Sequence, residues 1–514
     1  MSKIEAAYDP KGYEEEIWEL WKKNKIFDSK PSADKEPYTI LMPPPNVTSK
    51  LHMGHGLGYS IQDLLIRWKR MLGFNTCWLP GTDHAGIATQ MMVEKSLEEK
   101  GSSRAQLGRE SFLKACKEWK DENGSLILEQ FKKMGFSCDW DKTAYTMDPA
   151  LSAAVRHVFV DLFNQGLIYR GERLVNWDPE LQTAISDDEL ENKEIQGKLW
   201  FFRYSIIGTE EQIPIATTRP ETMLGDTAVA VNPEDERFKH LIGKEVILPF
   251  SKRKIPIIED SYVKGEFGTG AVKITPAHDP NDFQIGKRHN LAFINIFDEQ
   301  AKCNKNTPAN FQGLDRFEAR KRVIKELKAL ELFDEEKNYK HSVPHSERSK
   351  AIIEPRLSKQ WYVNMKAMAA EAAECARSGE ISFYPKAWKK TYLYWLDNIQ
   401  DWCISRQLWW GHRIPIWYCN SCNKAFTGIE DPEKCDTCDS SRLVQDKDVL
   451  DTWFSSWLWP LSPFGWPQTQ ENLNYYYPTN ALITGAEIIF LWVARMVMVG
   501  KKYLGQVPFK DIYF

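Results

Sequence analysis

Residues 38–81 read YTILM PPPNVTSKLHMGH GLGYSIQDLLIRWKRMLGFN TCWL PG, and the order of patterns in this stretch decides the fold class. Tyr38 to Met42 is a short apolar run. Pro43, Pro44 and Pro45 then end it, because proline has no N–H to donate to a strand ladder. Leu57, Ile61, Leu64, Leu65, Trp68 and Leu72 recur at three and four, which predicts a helix of about four turns. Thr76 to Leu79 reads as a second strand, stopped by Pro80-Gly81. Strand, loop, helix, strand is a parallel crossover unit, and ligands of such sheets sit beyond the carboxyl ends of the strands. An α/β chain with a Rossmann-type parallel sheet is therefore expected, with its chemistry in the loops at 43–55 and 80–90.

Upstream, Tyr13, Ile17, Leu20 and Trp21 fall at helical spacing. From Lys198 to Asn295 the character changes. Short β-branched or aromatic runs (Trp200 to Ile207, Ile213 to Thr218, Thr227 to Val231, Val246 to Leu248, Ile255 to Ile258, Ala271 to Thr275) are separated by Gly, Pro and Asp turns. That predicts a small β-barrel or sandwich inserted into the α/β chain. A helix at Arg316 to Leu332 leads out of it, another lies near Ala387 to Leu396, and a strand–helix element runs from Ala481 through Met498. The most apolar stretch, Ile483 to Gly500, is interrupted by Glu487 and Arg495 and reads as a buried helix, not a membrane span. The expected layout is a Rossmann-type domain at 1–195, a β-rich insert at 196–345, the parent domain again at 346–415, a small cysteine module at 416–446, and the second half of the parent domain at 447–514.

Composition agrees with this layout. The 514 residues include 67 Lys+Arg against 71 Asp+Glu, a formal net charge of −4, with 42% apolar and 27% charged residues. Such a chain has ample core, and the disordered class is excluded. The near-neutral balance argues against a histone-like nucleic-acid binder but leaves a local basic face open. Ten cysteines could suggest a disulfide scaffold, which a chain this long does not need. Met1 to Pro10 has no basic segment followed by an apolar run, so no secretory signal is expected. Together these features point to a soluble, reduced, cytoplasmic protein with no membrane contact.

Two constellations carry chemistry in their own right. His52 and His55, spaced i and i+3, would share one face of a first helical turn, with Gly54 leaving room for a flat ring. A helix N-terminus presents free N–H groups and positive dipole character to phosphate. Two histidines alone would equally suit a surface helix cap. Cys419, Cys422, Cys435 and Cys438 form two C-x-x-C knuckles, a full tetrahedral ligand set for a structural Zn²⁺. Trp177-Asp178-Pro179 and Ser346-Glu347-Arg348-Ser349 contain no further knuckle, so one zinc is expected.

The 43–55 stretch resembles the HIGH-type signature of the class I aminoacyl-tRNA synthetases. Pro80-Gly81-Thr82-Asp83-His84-Ala85-Gly86-Ile87-Ala88-Thr89-Gln90 is similar to the second active-site loop of their valine-specific branch. The likeness runs on through Asp401-Trp402-Cys403-Ile404-Ser405-Arg406-Gln407 and Asp448-Val449-Leu450-Asp451-Thr452-Trp453-Phe454-Ser455-Ser456. It implies His52 and His55 as catalytic residues, and Thr48, Gly54, Gly485 and Glu487 as ATP-binding residues. It implies Pro43, Pro44, Asn46, Asp83, Trp453, Ile488 and Trp492 as the valine site, with Asp83 facing the α-ammonium. Without it, the two tryptophans would read as core and Asp83 as a turn or cap. The family usually has Asp where Glu487 stands.

Thr217, Arg219, Thr222, Lys273, Thr275, Asp279 and Asp282 resemble an editing pocket, with Asp279 anchoring the amino group of a mischarged residue. Read bare, these segments are turns at strand ends. The need for such a pocket is physical: an apolar valine site rejects threonine by only about a hundredfold, the established figure for such a site. The activity implied is ATP-dependent attachment of L-valine to tRNA(Val) through valyl-adenylate, with Mg²⁺ and a structural Zn²⁺, and hydrolysis of Thr-tRNA(Val), by a monomer. No KMSKS-like lysine loop is found; Glu347 to Lys350 and Leu357 to Lys359 fall in the wrong place. An N-terminal fragment lacking that loop and the anticodon-binding domain is therefore expected. It should form valyl-adenylate poorly, with an editing hydrolase or a tRNA-binding module as the alternative reading.

Overall fold

The computed structural model describes residues 10–514; the reading of Met1 to Pro10 lies, but for Pro10, outside them. The described residues form two compact units, residues 10–169 with 361–514, and residues 170–360. In the first unit, α1 (Pro10–Lys23) precedes β1 (Pro37–Leu41), α2 (Met53–Met71), β2 (Asn75–Leu79) and α3 (Gly86–Glu99). After the second unit come β3 (Ser382–Tyr384), β4 (Thr479–Ile483), α4 (Arg495–Leu504) and β5 (Phe509–Tyr513). The five strands are parallel in the order β3-β5-β4-β1-β2, with Ile40 opposite both Trp78 and Ala481. Period-two alternation sends Tyr38, Ile40 and Met42 to one face, with Tyr59, Ile66 and Phe131, and Leu41, Cys77 and Leu79 to the other, with Met496 and Phe509. Both faces are covered, as a parallel sheet requires. The crossovers β1→β2 and β4→β5 run outward in opposite directions, so the right-handed rule puts α2 and α4 on opposite faces and opens a crevice beyond β1 and β4.

Helix α2 forms where its period predicts, yet it buries Tyr59, Gln62 and Ile66. The stripe of Leu57, Ile61, Leu64, Trp68 and Leu72 that reveals the period faces outward, with Leu57 68% and Leu64 67% exposed. The stretch Ile483 to Gly500 is not one helix. Ile483 closes β4, a 3₁₀ turn spans Ala486–Ile488, a π-helical segment Ile489–Ala494, and only then does α4 begin. Near-uniform apolarity masks such breaks, and π segments concentrate at functional sites. Among the described residues no helix is long and apolar enough to cross a membrane.

The second unit holds a seven-stranded sheet ordered Ala271–Ile274, Ala228–Val231, Lys254–Glu259, Glu245–Ile247, Leu190–Ile206, Phe333–Ser346, with Gln212–Thr217 also paired to Leu190–Ile206. The insert read at 196–345 lies inside this unit. What the sequence reading lacks is the strand Phe333–Ser346 and the part of Leu190–Ile206 before Trp200, which pair from Phe333 opposite Phe202 to Ser346 opposite Leu190. Much of their outer length is exposed and charged, so no apolar alternation announces them.

Candidate functional site

The carboxyl ends of β1, β2 and β4 converge on the loops that carry the residues singled out above. Beyond β1 the proline loop bridges to the next loop: Asn46 pairs with Asp83, Val47 N–H donates to Asp83 O at 3.1 Å, and Asp83 N–H to Pro45 O at 2.9 Å. Pro43, Pro44 and Thr48 are half-buried along it. Gly81 is obligatory where the second loop starts, since a Cβ there would sit 2.3 Å from Trp459 and 2.5 Å from Ala144 O.

His52 is the N-cap of α2 and His55 its third residue; their rings stack with centroids 3.8 Å apart. The backbone N–H of His52 donates to His55 Nδ1 at 3.2 Å, so the ring carries its proton on Nε2. Burial, then the neighbouring His52, pushes His55 down to about 4. At neutral pH it is an uncharged donor beside a helix N-terminus. Gly54 lies against the His52 ring, which a Cβ would approach to 3.1 Å.

Asp83 is buried at the turn into α3. Its Oδ1 accepts the Ala85 N–H at 2.8 Å and its Oδ2 the Ser456 hydroxyl at 2.7 Å. Burial pushes its carboxyl up to about 6. No Lys or Arg pairs with it among the described residues; His84 lies 3.3 Å away and is held at about 3 by burial. A buried carboxylate without a counter-cation is costly and is ready to accept one. Nearby, Trp492 is buried in the main core, with Trp453 and Ile488 packed against the same cluster. Trp492 Nε1 donates to Ser456 O at 2.9 Å. At the end of β4, Glu487 is exposed and folds back over Gly485, whose absent Cβ would meet its Oε1 at 2.1 Å.

Sequence reasoning passed over Ser456, which closes the quoted 448–456 motif and touches both Asp83 and Trp492. It also passed over what joins the two downstream motifs. Arg406 and Asp451, 1% and 3% exposed, form an ion pair at 2.9 Å, and Trp402 Nε1 donates to the same Asp451 oxygen at 2.9 Å.

In the second unit Lys273 Nζ donates to Thr222 Oγ1 at 2.7 Å, Asp226 Oδ1 at 3.0 Å and Thr275 Oγ1 at 2.5 Å. Thr275 donates its hydroxyl to Asp226 and its N–H to Asp282 Oδ2. Burial, then Asp279, pushes Asp282 up to about 8, so it is protonated at neutral pH. Asp279 caps the helix Pro280–Arg288 by accepting the N–H groups of Asn281 and Asp282. Thr217 Oγ1 accepts the Arg219 N–H. Arg219 itself is held by Glu354, 2.6 Å from each carboxylate oxygen, and donates to His278 O at 2.9 Å. The hubs Asp226 and Glu354, both fully buried, were not read from sequence: one stands between Gly225 and a strand, the other beside Pro355, and both resemble turn residues.

Cys419, Cys422, Cys435 and Cys438 bring their sulfurs within 4.8 Å of one another on a module with three short strands, Ile416–Cys419, Ala425–Thr427 and Leu443–Gln445. Cys419 lies 3.5 Å from Cys438 and Cys422 3.6 Å from Cys435. Tetrahedral zinc with Zn–S of about 2.3 Å sets its sulfurs about 3.8 Å apart, so the four thiols fit the ion and leave it no open position. One zinc per chain is the expected result of elemental analysis, and Cys435→Ser should lower it to well under one. A full equivalent retained in that variant would refute this ligand set.

The family described as tRNA synthetases class I (I, L, M and V) matches residues 16–514. A valine–tRNA ligase of Syntrophotalea carbinolica is 53% identical over 511 residues, covering 99% of this chain and 57% of that protein. Those of Bdellovibrio bacteriovorus and Clostridium tetani are 54% and 53% identical, covering 98% and 99% of the chain and 56% and 58% of theirs. The chain thus spans little more than half the length of these relatives. Among solved structures, a LeuRS of Agrobacterium radiobacter K84, in ternary complex with tRNA and LeuAMS, shares the fold with a TM-score of 0.52 at 19% identity, over 99% of this chain and 67% of that one.

Proposed function

The chain belongs to the class I tRNA synthetases (I, L, M and V), and from that premise we propose that it carries the catalytic and editing sites of an enzyme that attaches L-valine to tRNA(Val) through valyl-adenylate. The observation that carries this reading is Asp83, a buried carboxylate with no Lys or Arg partner among the described residues, linked through Ser456 to Trp492 in the apolar core. An amino acid supplies the missing cation and a branched side chain together. Pro43, Pro44, Asn46, Ile488, Trp453 and Trp492 bound the valine site. ATP lies across the start of α2 with Thr48, Gly54, Gly485 and Glu487, its Mg²⁺ accompanying the phosphates. There the free N–H groups and the neutral His55 Nε2–H meet charge building on the α-phosphoryl group, with His52 alongside.

In the second unit, Thr217, Arg219, Thr222, Lys273, Thr275, Asp279 and Asp282 form the pocket that hydrolyses Thr-tRNA(Val). Its polar lining suits a threonine hydroxyl, which the apolar valine site cannot exclude. When bound, zinc is structural and holds the Cys419 to Cys438 module. We place the protein in the cytoplasm as a monomer. Titration of the purified chain with valine, threonine and isoleucine tests the first site. Valine is expected to bind tightest, threonine within about a hundredfold of it, and isoleucine weaker than valine. Isoleucine binding as tightly as valine would overturn the specificity. For the second site, Asp279→Asn keeps the helix cap and should slow Thr-tRNA(Val) deacylation about 10- to 100-fold.

A further inference from the structure

We infer that Ser456 is a positioning residue of the amino-acid site, tying the carboxylate that receives the substrate ammonium to the tryptophan that walls the substrate side chain. The inference rests on the valine reading of Asp83 and Trp492 and goes beyond it by naming what holds the two in register. Ser456 is 2% exposed and ends the helical turn Trp453–Ser456, so Trp453 rides on the same turn. Its hydroxyl reaches Asp83 Oδ2 at 2.7 Å and its carbonyl accepts the Trp492 indole N–H at 2.9 Å. Indole nitrogen is a donor only, so this bond fixes the rotation of the ring.

The hydroxyl has a second acceptor, Thr452 O at 3.0 Å. One proton cannot serve both, and an ionised carboxylate is the stronger acceptor. Ser456 therefore faces Asp83 when that group is charged, which is the state that binds an ammonium. The other carboxylate oxygen is held by Ala85, whose backbone is left-handed at φ 48°. The Ala85 N–H thus holds Oδ1 and the Ser456 hydroxyl holds Oδ2, with the Thr146 hydroxyl as a third donor to the carboxylate.

The other groups near Asp83 are known. His84 lies 3.3 Å away, and Asp451 adds a repulsion that raises the Asp83 carboxyl; Asp83 in turn raises the Tyr145 phenol. Against these the Ala85 N–H, the Ser456 hydroxyl and the Thr146 hydroxyl pull the carboxyl down. Deleting the Ser456 hydroxyl removes one of the three and moves the acid limit of ammonium binding to higher pH.

The test is calorimetric titration of the whole 514-residue chain with valine between about pH 5 and about pH 8, which brackets the Asp83 value of about 6. Ser456→Ala is expected to bind valine roughly tenfold more weakly near pH 7, with its acid limb displaced upward and ATP binding unchanged. Ser456→Thr, which keeps a hydroxyl, should return the limb toward the parent. Should Ser456→Ala fail to fold, Ser456→Cys, a weak donor, carries the same expectation. Asp83→Asn is run in parallel. If it binds valine like the parent, the reading of the site itself fails. If it loses valine while Ser456→Ala keeps the parental affinity and pH limb, the role given to Ser456 is overturned.

Discussion

Asp451→Ala is expected to cost the first unit about 3–5 kcal/mol, because it removes the carboxylate that lies 2.9 Å from the buried Arg406 guanidinium. The same change leaves Trp402 Nε1 without the acceptor it has at 2.9 Å. Few surface substitutions approach this size; the loss reflects desolvation of a charge that is only 1% exposed. Urea unfolding followed by tryptophan fluorescence measures it. Exchanging both partners for apolar residues, Arg406→Met with Asp451→Leu, should be milder than Asp451→Ala alone, since the buried charge is then removed together with its partner. A single-variant loss under 1 kcal/mol would show that Arg406 finds another partner.

Asp83→Asn should move binding and stability in opposite directions. Removing the charge takes away the counter-ion of the substrate ammonium, and losing one member of a buried charge pair costs about 2–5 kcal/mol of affinity. Valine binding is therefore expected to fall a hundredfold or more. The folded state raises this carboxyl from 3.8 to about 6. A group whose folded value lies above its unfolded one favours folding while it is protonated and opposes folding once pH passes the folded value. At pH 7 the ionised Asp83 thus works against folding, by roughly 2–3 kcal/mol at 1.36 kcal/mol per pH unit. Asparagine has no charge to bury and can keep both neighbours, accepting from Ala85 N–H and donating to Ser456. The variant should resist urea better than the parent at pH 7, with that advantage shrinking as pH falls through about 6 and gone only below 3.8. Equal stability at both pH values would refute the account of Asp83 as a strained anchor.

How far the sequence could be read followed from how local the physics was. The strand–loop–helix–strand unit around His52 and His55 is encoded by proline punctuation and helical spacing within 44 consecutive residues, and it folds as read. The cysteine pairs are equally local, and their sulfurs meet. What escaped depends on contacts across long separations. Ser456 reaches Asp83 over 373 positions, and Glu354 reaches Arg219 over 135. Serine and glutamate beside turns carry no mark of such duties. The ribbon strand Phe333–Ser346 escaped for another reason: with both faces largely wet, it has no alternation to detect. In α2 the period was read correctly while the direction of its apolar stripe could not be, because periodicity reports that residues share a face and not which way that face points.

That outward stripe has a practical consequence at the bench. Met53 and Met71, 88% and 87% exposed, extend it to both ends of α2, giving a row of oily side chains along 19 residues. Ammonium sulfate strengthens such surfaces and should drive the polypeptide onto phenyl resin and out of solution early. Lysines placed at Leu57 and Leu64 should delay both without disturbing the crevice.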